Sequence, residues 1–231
     1  MKSLVMVFEA LALTALLKVP AGAATPLPVE KLLAMSSVLA GETPQWAPDG
    51  SRILFASSWG GGGLMTLSPE GGFPRPLPLE LGGAGHFLAS QMPGWSPDGK
   101  WVSYVSDKSG SPEIWLWSTE DGRDLKLTAL GGRINAMSWS ADSRWIALSG
   151  DRNGNYDIWK VSVPAGDVYR LTSAERYEVF PTWTPDGSRI VYVELDERWV
   201  DHRVVVMGAG GTNPRTVVQD TDFFDYRAGG T

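Results

Sequence analysis

From Gly41 onward, short runs of β-forming residues alternate with clusters of Pro, Gly, Asp, Asn and Ser. The segment after Pro93 sets the pattern. Pro93–Ser96 reads as a first strand, and Pro97-Asp98-Gly99 as a turn. In that turn Pro presets φ, Asp bonds its own backbone and Gly accepts φ > 0. Trp101–Ser106 alternates and is rich in strand formers, so it predicts a second strand. Asp107–Pro112 turns the chain, Glu113–Ser118 is a third strand, Glu120–Arg123 turns again, and Leu125–Thr128 is a short fourth strand.

The same plan recurs. Later copies predict strands at Trp145–Ser149, Asp157–Val161 and Tyr169–Thr172, then at Arg189–Val193, Arg203–Met207 and Arg215–Val218. An earlier copy predicts Arg52–Ser57, Leu64–Leu67 and Pro74–Leu77, with a glycine run Gly60–Gly63 and a long connection Pro78–Met92. Each copy begins with a tryptophan before the first turn: Trp46, Trp95, Trp139 and Trp183, spaced 49, 44 and 44 residues apart. Four-stranded units at a period of about 40–45 residues are the blades of a β-propeller. A lone blade cannot bury both faces, so neighbours must stack. The four tryptophans, with Trp115 and Trp159, are expected to pack between blades rather than to bind a ligand. The predicted fold is therefore all-β, with four blades over residues 41–218. Phe223, Phe224 and Tyr226 in residues 219–231 read as the start of a further blade, so the propeller is expected to be incomplete.

Before the repeats, residues 1–24 read as a secretory signal: Lys2, a mostly apolar Leu4–Leu17 interrupted by Glu9, then small residues at Ala21–Ala24. Residues 25–40 form a lead-in in which Val29–Met35 predicts a short helix. The expected location is secreted or periplasmic. No other apolar run is long enough to span a bilayer. The formal net charge of −6 argues against a nucleic-acid partner. There is no cysteine, hence no disulfide framework and no thiolate chemistry.

Trp95-Ser96-Pro97-Asp98-Gly99, followed by Ser106–Gly110, Glu113-Ile114-Trp115 and Leu127-Thr128, resembles the TolB-type propeller repeat. Asp151–Gly154, Asp157-Ile158-Trp159 and Leu171-Thr172 repeat the resemblance, which covers residues 41–218. The repeat is similar to that of TolB, of prolyl oligopeptidase-family serine peptidases including the dipeptidyl-peptidase IV type, and of some amidohydrolase fusions. Pro28–Leu33 resembles the entry to the peptidase propeller, and Tyr177–Phe180 with Trp183–Gly187 resembles a stretch of the dipeptidyl-peptidase type. That resemblance implies a pair of adjacent glutamates holding a substrate amino terminus. Here Glu175 and Glu178 are not adjacent. It also implies a hydrolase domain carrying Ser, Asp and His, which this sequence lacks.

No Gly-x-Ser-x-Gly elbow is present, and His86 and His202 have no nucleophile nearby in sequence, so no catalytic residue is assigned. Asp151–Asp157 offers alternating oxygen ligands, but the twelfth position of such a calcium loop is Ser162, so a plain hairpin is the expectation. No metal or cofactor is expected. Binding residues are expected in the loops that link one blade to the next, Pro78–Met92, Ala129–Ala136 and Ser173–Phe180, because rim loops on a rigid scaffold carry recognition. Arg133, Glu175, Arg176, Tyr177 and Glu178 are the candidates, facing a peptide substrate or protein partner. The expected role is a non-catalytic propeller that gates or recognises peptide for a secreted serine peptidase. The alternatives are a stand-alone TolB-like periplasmic interaction module and, third, the propeller of an amidohydrolase fusion.

Overall fold

The computed structural model describes residues 44–57, 63–79, 93–198 and 201–219. The expected signal peptide (1–24), lead-in (25–40), most of the long connection Pro78–Met92 and the segment 220–231 lie outside the described residues.

Among the described residues, sixteen strands form four four-stranded sheets, each in chain order. The first sheet holds β1 (Gln45–Trp46), β2 (Ile53–Ser57), β3 (Gly63–Leu67) and β4 (Arg75–Pro76). The second holds β5 (Gly94–Trp95), β6 (Trp101–Ser106), β7 (Glu113–Ser118) and β8 (Asp124–Lys126). The third holds β9 (Ile134–Trp139), β10 (Trp145–Gly150), β11 (Asp157–Ser162) and β12 (Val168–Arg170). The fourth holds β13 (Tyr177–Trp183), β14 (Arg189–Leu195), β15 (His202–Gly208) and β16 (Arg215–Gln219). Pairing is antiparallel, as tight turns between consecutive strands require. The all-β, bladed fold read from the sequence is the fold observed.

The turn between the first two strands is built alike in each copy. Gly50, Gly99 and Gly187 sit at φ of 72°, 74° and 68°, and Ser143 holds the same place at φ 60°. The turn aspartate accepts from the backbone two residues on: Asp98 from Lys100 N, Asp142 from Arg144 N, Asp186 from Ser188 N. Hydroxyls of Thr184 and Ser188 join that bond at Asp186 and pull its carboxyl down to about 2.

The chain divides into two compact units. Of the described residues, one comprises those up to 108 with 115–125; the other comprises 109–114 with those from 126 on. In the first unit, Leu54, Ala56 and Leu64 of the first sheet pack on Val102 and Tyr104 of the second, with Trp95, Trp115 and Trp117 alongside. Ile53, Phe55, Met65 and Leu67, with Trp46, form a second cluster on the other face of the first sheet. In the second unit, Ala147 and Ile158 pack on Trp183, Ile190, Tyr192, Val205 and Met207. Each fully buried Val, Ile, Leu, Phe or Met among them contributes roughly 1.5–3 kcal/mol through burial. Trp95, Trp115 and Trp183 are thus packing residues, and Trp159 is 6% exposed.

Several strand boundaries differ from those read in the sequence, and β9 already opens at Ile134, inside the expected loop Ala129–Ala136. The fourth strands stop at Lys126 and Arg170, before Leu127-Thr128 and Leu171-Thr172. There the amides of both residues turn onto one carbonyl, Ile114 O in one copy and Ile158 O in the other. The threonine hydroxyls then accept from Ile114 N and Ile158 N. Tyr177–Phe180, expected in a loop, opens β13 instead. Pro181 cannot donate to the ladder, and the register shifts between Val179 and Thr182, with Phe180 at φ 55°.

Candidate functional site

The candidate residues fall on one edge of the second unit. In an antiparallel blade, the turn from second to third strand lies on the same edge as the connection into the first strand. The 151–156 turn therefore lies beside the connections at 127–133 and 171–176.

Gly132 allows the closest approach. A Cβ there would stand 2.7 Å from Arg152 N and 2.8 Å from Asp151 Oδ1. With no side chain in the way, Asp151 N donates to Arg133 O at 3.0 Å and Arg133 N donates to Asp151 Oδ1. The Arg133 guanidinium, its side chain 82% exposed, stands 3.8 Å from Asp151 Oδ2. Its side chain also hydrogen-bonds Tyr156. Burial pushes the Tyr156 phenol up, Asp151 adds to the rise, and Arg133 opposes it. The Tyr156 ring meets Tyr177 edge-on, with centroids 6.0 Å apart and planes at 77°.

Asn155 ties the next connection down. Its Nδ2 donates to Ala174 O at 2.8 Å and to Arg176 O at 3.1 Å. Glu178 N donates to Tyr156 O at 2.8 Å. Arg176 points across the fourth sheet: Nη2 donates to Asp201 O at 2.7 Å, and Nη1 stands 3.1 Å from Asp201 Oδ2. Glu194 lies 3.9 Å from its Nε. Arg176 is therefore held within the fold, while Glu175 is exposed.

Glu178 is 1% exposed. Burial raises its pKa; the Asp157 and Glu194 charges add to this, and hydrogen bonds from Thr172 and Ala174 N counteract it. Tyr192 also hydrogen-bonds it, and the Tyr192 phenol is pushed well up, first by burial and then by the Glu178 charge. A close parallel exists one blade earlier. Glu113, 2% exposed, accepts from Thr128 Oγ1 at 2.7 Å, Leu130 N at 2.8 Å, Gly131 N at 3.2 Å and Ser111 Oγ at 3.2 Å. Thr172 and Ala174 hold the repeat positions of Thr128 and Leu130. In the third sheet Asp157 replaces Glu113 and is one methylene shorter. Arg170 Nη2 stands 2.8 Å from Asp157 Oδ2, without hydrogen-bond alignment. The threonine and the amide are satisfied by Glu178 instead, reaching back from β13.

Arg133, Arg176, Tyr177 and Glu178 are thus brought to one edge, two of them as structural ties at this edge. Asp151, Asn155, Tyr156 and Asp201 join them. The 151–157 run reads from sequence only as a hairpin; the strand connectivity is the signal that places it at the same edge. That run is a hairpin turn, with Gly154 N on Asp151 O at 2.9 Å, and Asp157 lies in β11, fully buried. Among the described residues no three His, Asp or Glu side chains converge as metal ligands.

A family model described as the TolB beta propeller domain matches residues 84–223. No curated protein matches the chain. A solved structure described as a TolB from Agrobacterium tumefaciens is 28% identical with a TM-score of 0.64, covering 76% of this chain and 64% of that one. Puromycin hydrolase is 20% identical with a TM-score of 0.58, covering 76% of this chain and 28% of that one. Porphyromonas gingivalis dipeptidyl peptidase 4 is 15% identical with a TM-score of 0.55, covering 79% and 34%. The last two show the fold alone. The chain spans less than two thirds of the length of each of these structures. With the family match covering well over half of its residues, the chain belongs to the TolB β-propeller domain family.

Proposed function

We propose that this chain is a non-catalytic recognition propeller of an exported protein, and that the edge carrying Arg133, Glu175 and Tyr177 takes an extended peptide segment of a substrate or partner. The observation that carries the reading is the fixed frame under that edge. The guanidinium of Arg133 is exposed, yet its backbone is tied to Asp151 and its side chain to Tyr156. A pre-ordered donor beside the Tyr156 phenol, on the edge that also carries Tyr177 and the exposed Glu175, suits the alternating donors and acceptors of a peptide. Arg176 and Glu178 act beneath this surface, holding the strand that presents Tyr177.

Two settings suit such a propeller. One is the substrate-recognising part of a secreted serine peptidase whose hydrolase domain is outside this chain. The other is a TolB-like periplasmic interaction module, which the 28% identity to a TolB favours. A random decapeptide library, screened by fluorescence anisotropy against the full chain, supplies the probe. Binding of a selected peptide that weakens at least tenfold in Arg133→Ala, Glu175→Ala or Tyr177→Ala supports the reading. Equal binding by all three variants refutes it. Labelling of the natural full-length protein by a fluorophosphonate separates the peptidase setting from the interaction setting. Export predicts recovery from the periplasmic or culture fraction with a new amino terminus near Thr25.

A further inference from the structure

The two units each carry a slot at the same repeat position, between the first turn of one blade and that of the next. In the second unit it is lined by Ser140, Asp142, Trp145, Lys160, Trp183 and Asp186, with a volume of about 220 Å³. Lys160 fills it. Its Nζ lies 4.5 Å from the centre of the Trp145 ring and donates to Ala209 O at 3.0 Å. Burial pulls this ammonium below the usual lysine range.

In the first unit the slot is lined by Asp49, Arg52, Thr66, Trp95, Trp117 and Asp98, among others, and its volume is about 450 Å³. Position by position, Thr66 replaces Lys160, Arg52 replaces Trp145, and Trp117 replaces Met207. Thr119 holds the place of Ala209: Thr119 N donates to Lys100 O at 2.9 Å, as Ala209 N does to Ser188 O at 3.0 Å. Thr66 is short and its hydroxyl reaches Arg75 O at 3.5 Å, so it does not fill the space. The first-unit slot therefore keeps the repeat's carbonyl position and its two turn carboxylates, Asp49 and Asp98. It offers indole walls from Trp95 and Trp117, and lacks the cation that occupies the equivalent place in the second unit.

We propose that the slot of the first unit binds a lysine side chain supplied by a partner polypeptide, seated where Lys160 seats its own in the second unit. The four-carbon stem lies against the indoles, and the ammonium meets the aromatic face, the carboxylates and the Thr119 carbonyl. Two carboxylates against the single guanidinium of Arg52 leave the lining net negative, which favours a cation.

The test uses the full chain and Nα-acetyl-lysine N-methylamide as probe, with the norleucine counterpart as its uncharged control. Indole N–H resonances of Trp95 and Trp117 are followed by NMR after assignment by single substitution. The lysine probe is expected to shift both resonances saturably, and the norleucine probe to shift neither. Thr66→Lys supplies the ammonium internally and is expected to abolish the shifts, whereas Thr66→Val leaves them. Lys160→Thr opens the second slot and is expected to add a probe-dependent shift at the Trp183 indole. Equal shifts with both probes, no shift with the lysine probe, or undiminished shifts in a folded Thr66→Lys variant would overturn the proposal.

Discussion

Glu113→Ala removes the acceptor that ends the second blade. Four donors converge on this carboxylate, and two of them, Thr128 Oγ1 and Leu130 N, belong to residues at most 4% exposed. Ser111 and Gly131 are open enough for water to replace the lost partner. Each buried donor left unpaired costs roughly 1–3 kcal/mol, a gross loss of about 2–6 kcal/mol. Removing a buried carboxylate returns part of this through relieved desolvation, so a net loss of about 2–4 kcal/mol is expected. At roughly 2–4 °C per kcal/mol for a chain of this size, the melting temperature falls by about 4–16 °C. Glu113→Gln keeps one acceptor oxygen and is expected to lose about half as much. The assay is urea unfolding followed by tryptophan fluorescence, with native-state hydrogen exchange at the Leu130 and Gly131 amides. Exposed Glu120→Ala is the control and should stay within about 0.5 kcal/mol of wild type. A Glu113→Ala protein as stable as that control, with Leu130 N–H still protected, would refute the reasoning.

Glu178→Gln tests the sign of the second buried carboxylate. Its folded pKa is raised by burial above the ordinary 4.5, so its protonated form favours the fold, and that stability is lost as pH rises through the raised value. The variant should exceed wild type in urea midpoint at pH 8 and converge with it by pH 4; a constant gap would contradict this. Ser143→Gly relieves a side chain held at φ 60°, where the other three copies place glycine. Left-handed strain of about 1–2 kcal/mol less an unfolded-state term of about 0.4–1 kcal/mol predicts a net gain of roughly 0.5–1 kcal/mol in thermal unfolding. Gly132→Ala forces the 130–133 connection off the 151–154 turn and should cost about 1–3 kcal/mol, with loss of exchange protection at Asp151 N–H. Unchanged protection would show that the two loops are not in contact.

The blades were legible because their signals are local. A Pro-Asp-Gly turn needs only its own residues: proline for φ, aspartate to cap the next amides, glycine for the left-handed position. Alternating runs such as Trp101–Ser106 carry their own face assignment. Tyr177–Phe180, expected in the connection between blades, lies directly before Pro181, which cannot donate to a regular ladder. The bulge at Phe180 absorbs that proline and lets the strand continue on its far side. The 151–156 turn was legible as a turn, but its place beside Arg133 depends on the absence of a side chain at Gly132, whose meaning appears only when the neighbouring loop is present.

The buried carboxylates carry this further. Glu113 and Asp157 stand at one repeat position before Ile-Trp, and Thr128 and Thr172 at another. Sequence alignment of the copies pairs Asp157 with Thr172. The fold pairs Glu178 with Thr172, because a carboxylate one methylene shorter than Glu113 leaves the threonine and the Ala174 amide to be satisfied from the next blade. The same logic separates the two slots: Lys160 completes one from within, and Thr66 leaves the other to a ligand. In a repeat protein the backbone positions recur, so the chemical demand at each position recurs with them. Where one copy answers the demand with its own side chain and another does not, the difference is met by a neighbouring blade, as at Glu178, or by an outside group, as proposed for the slot beside Trp117. Functional sites in such a chain are therefore found by asking which recurring demand is left unanswered.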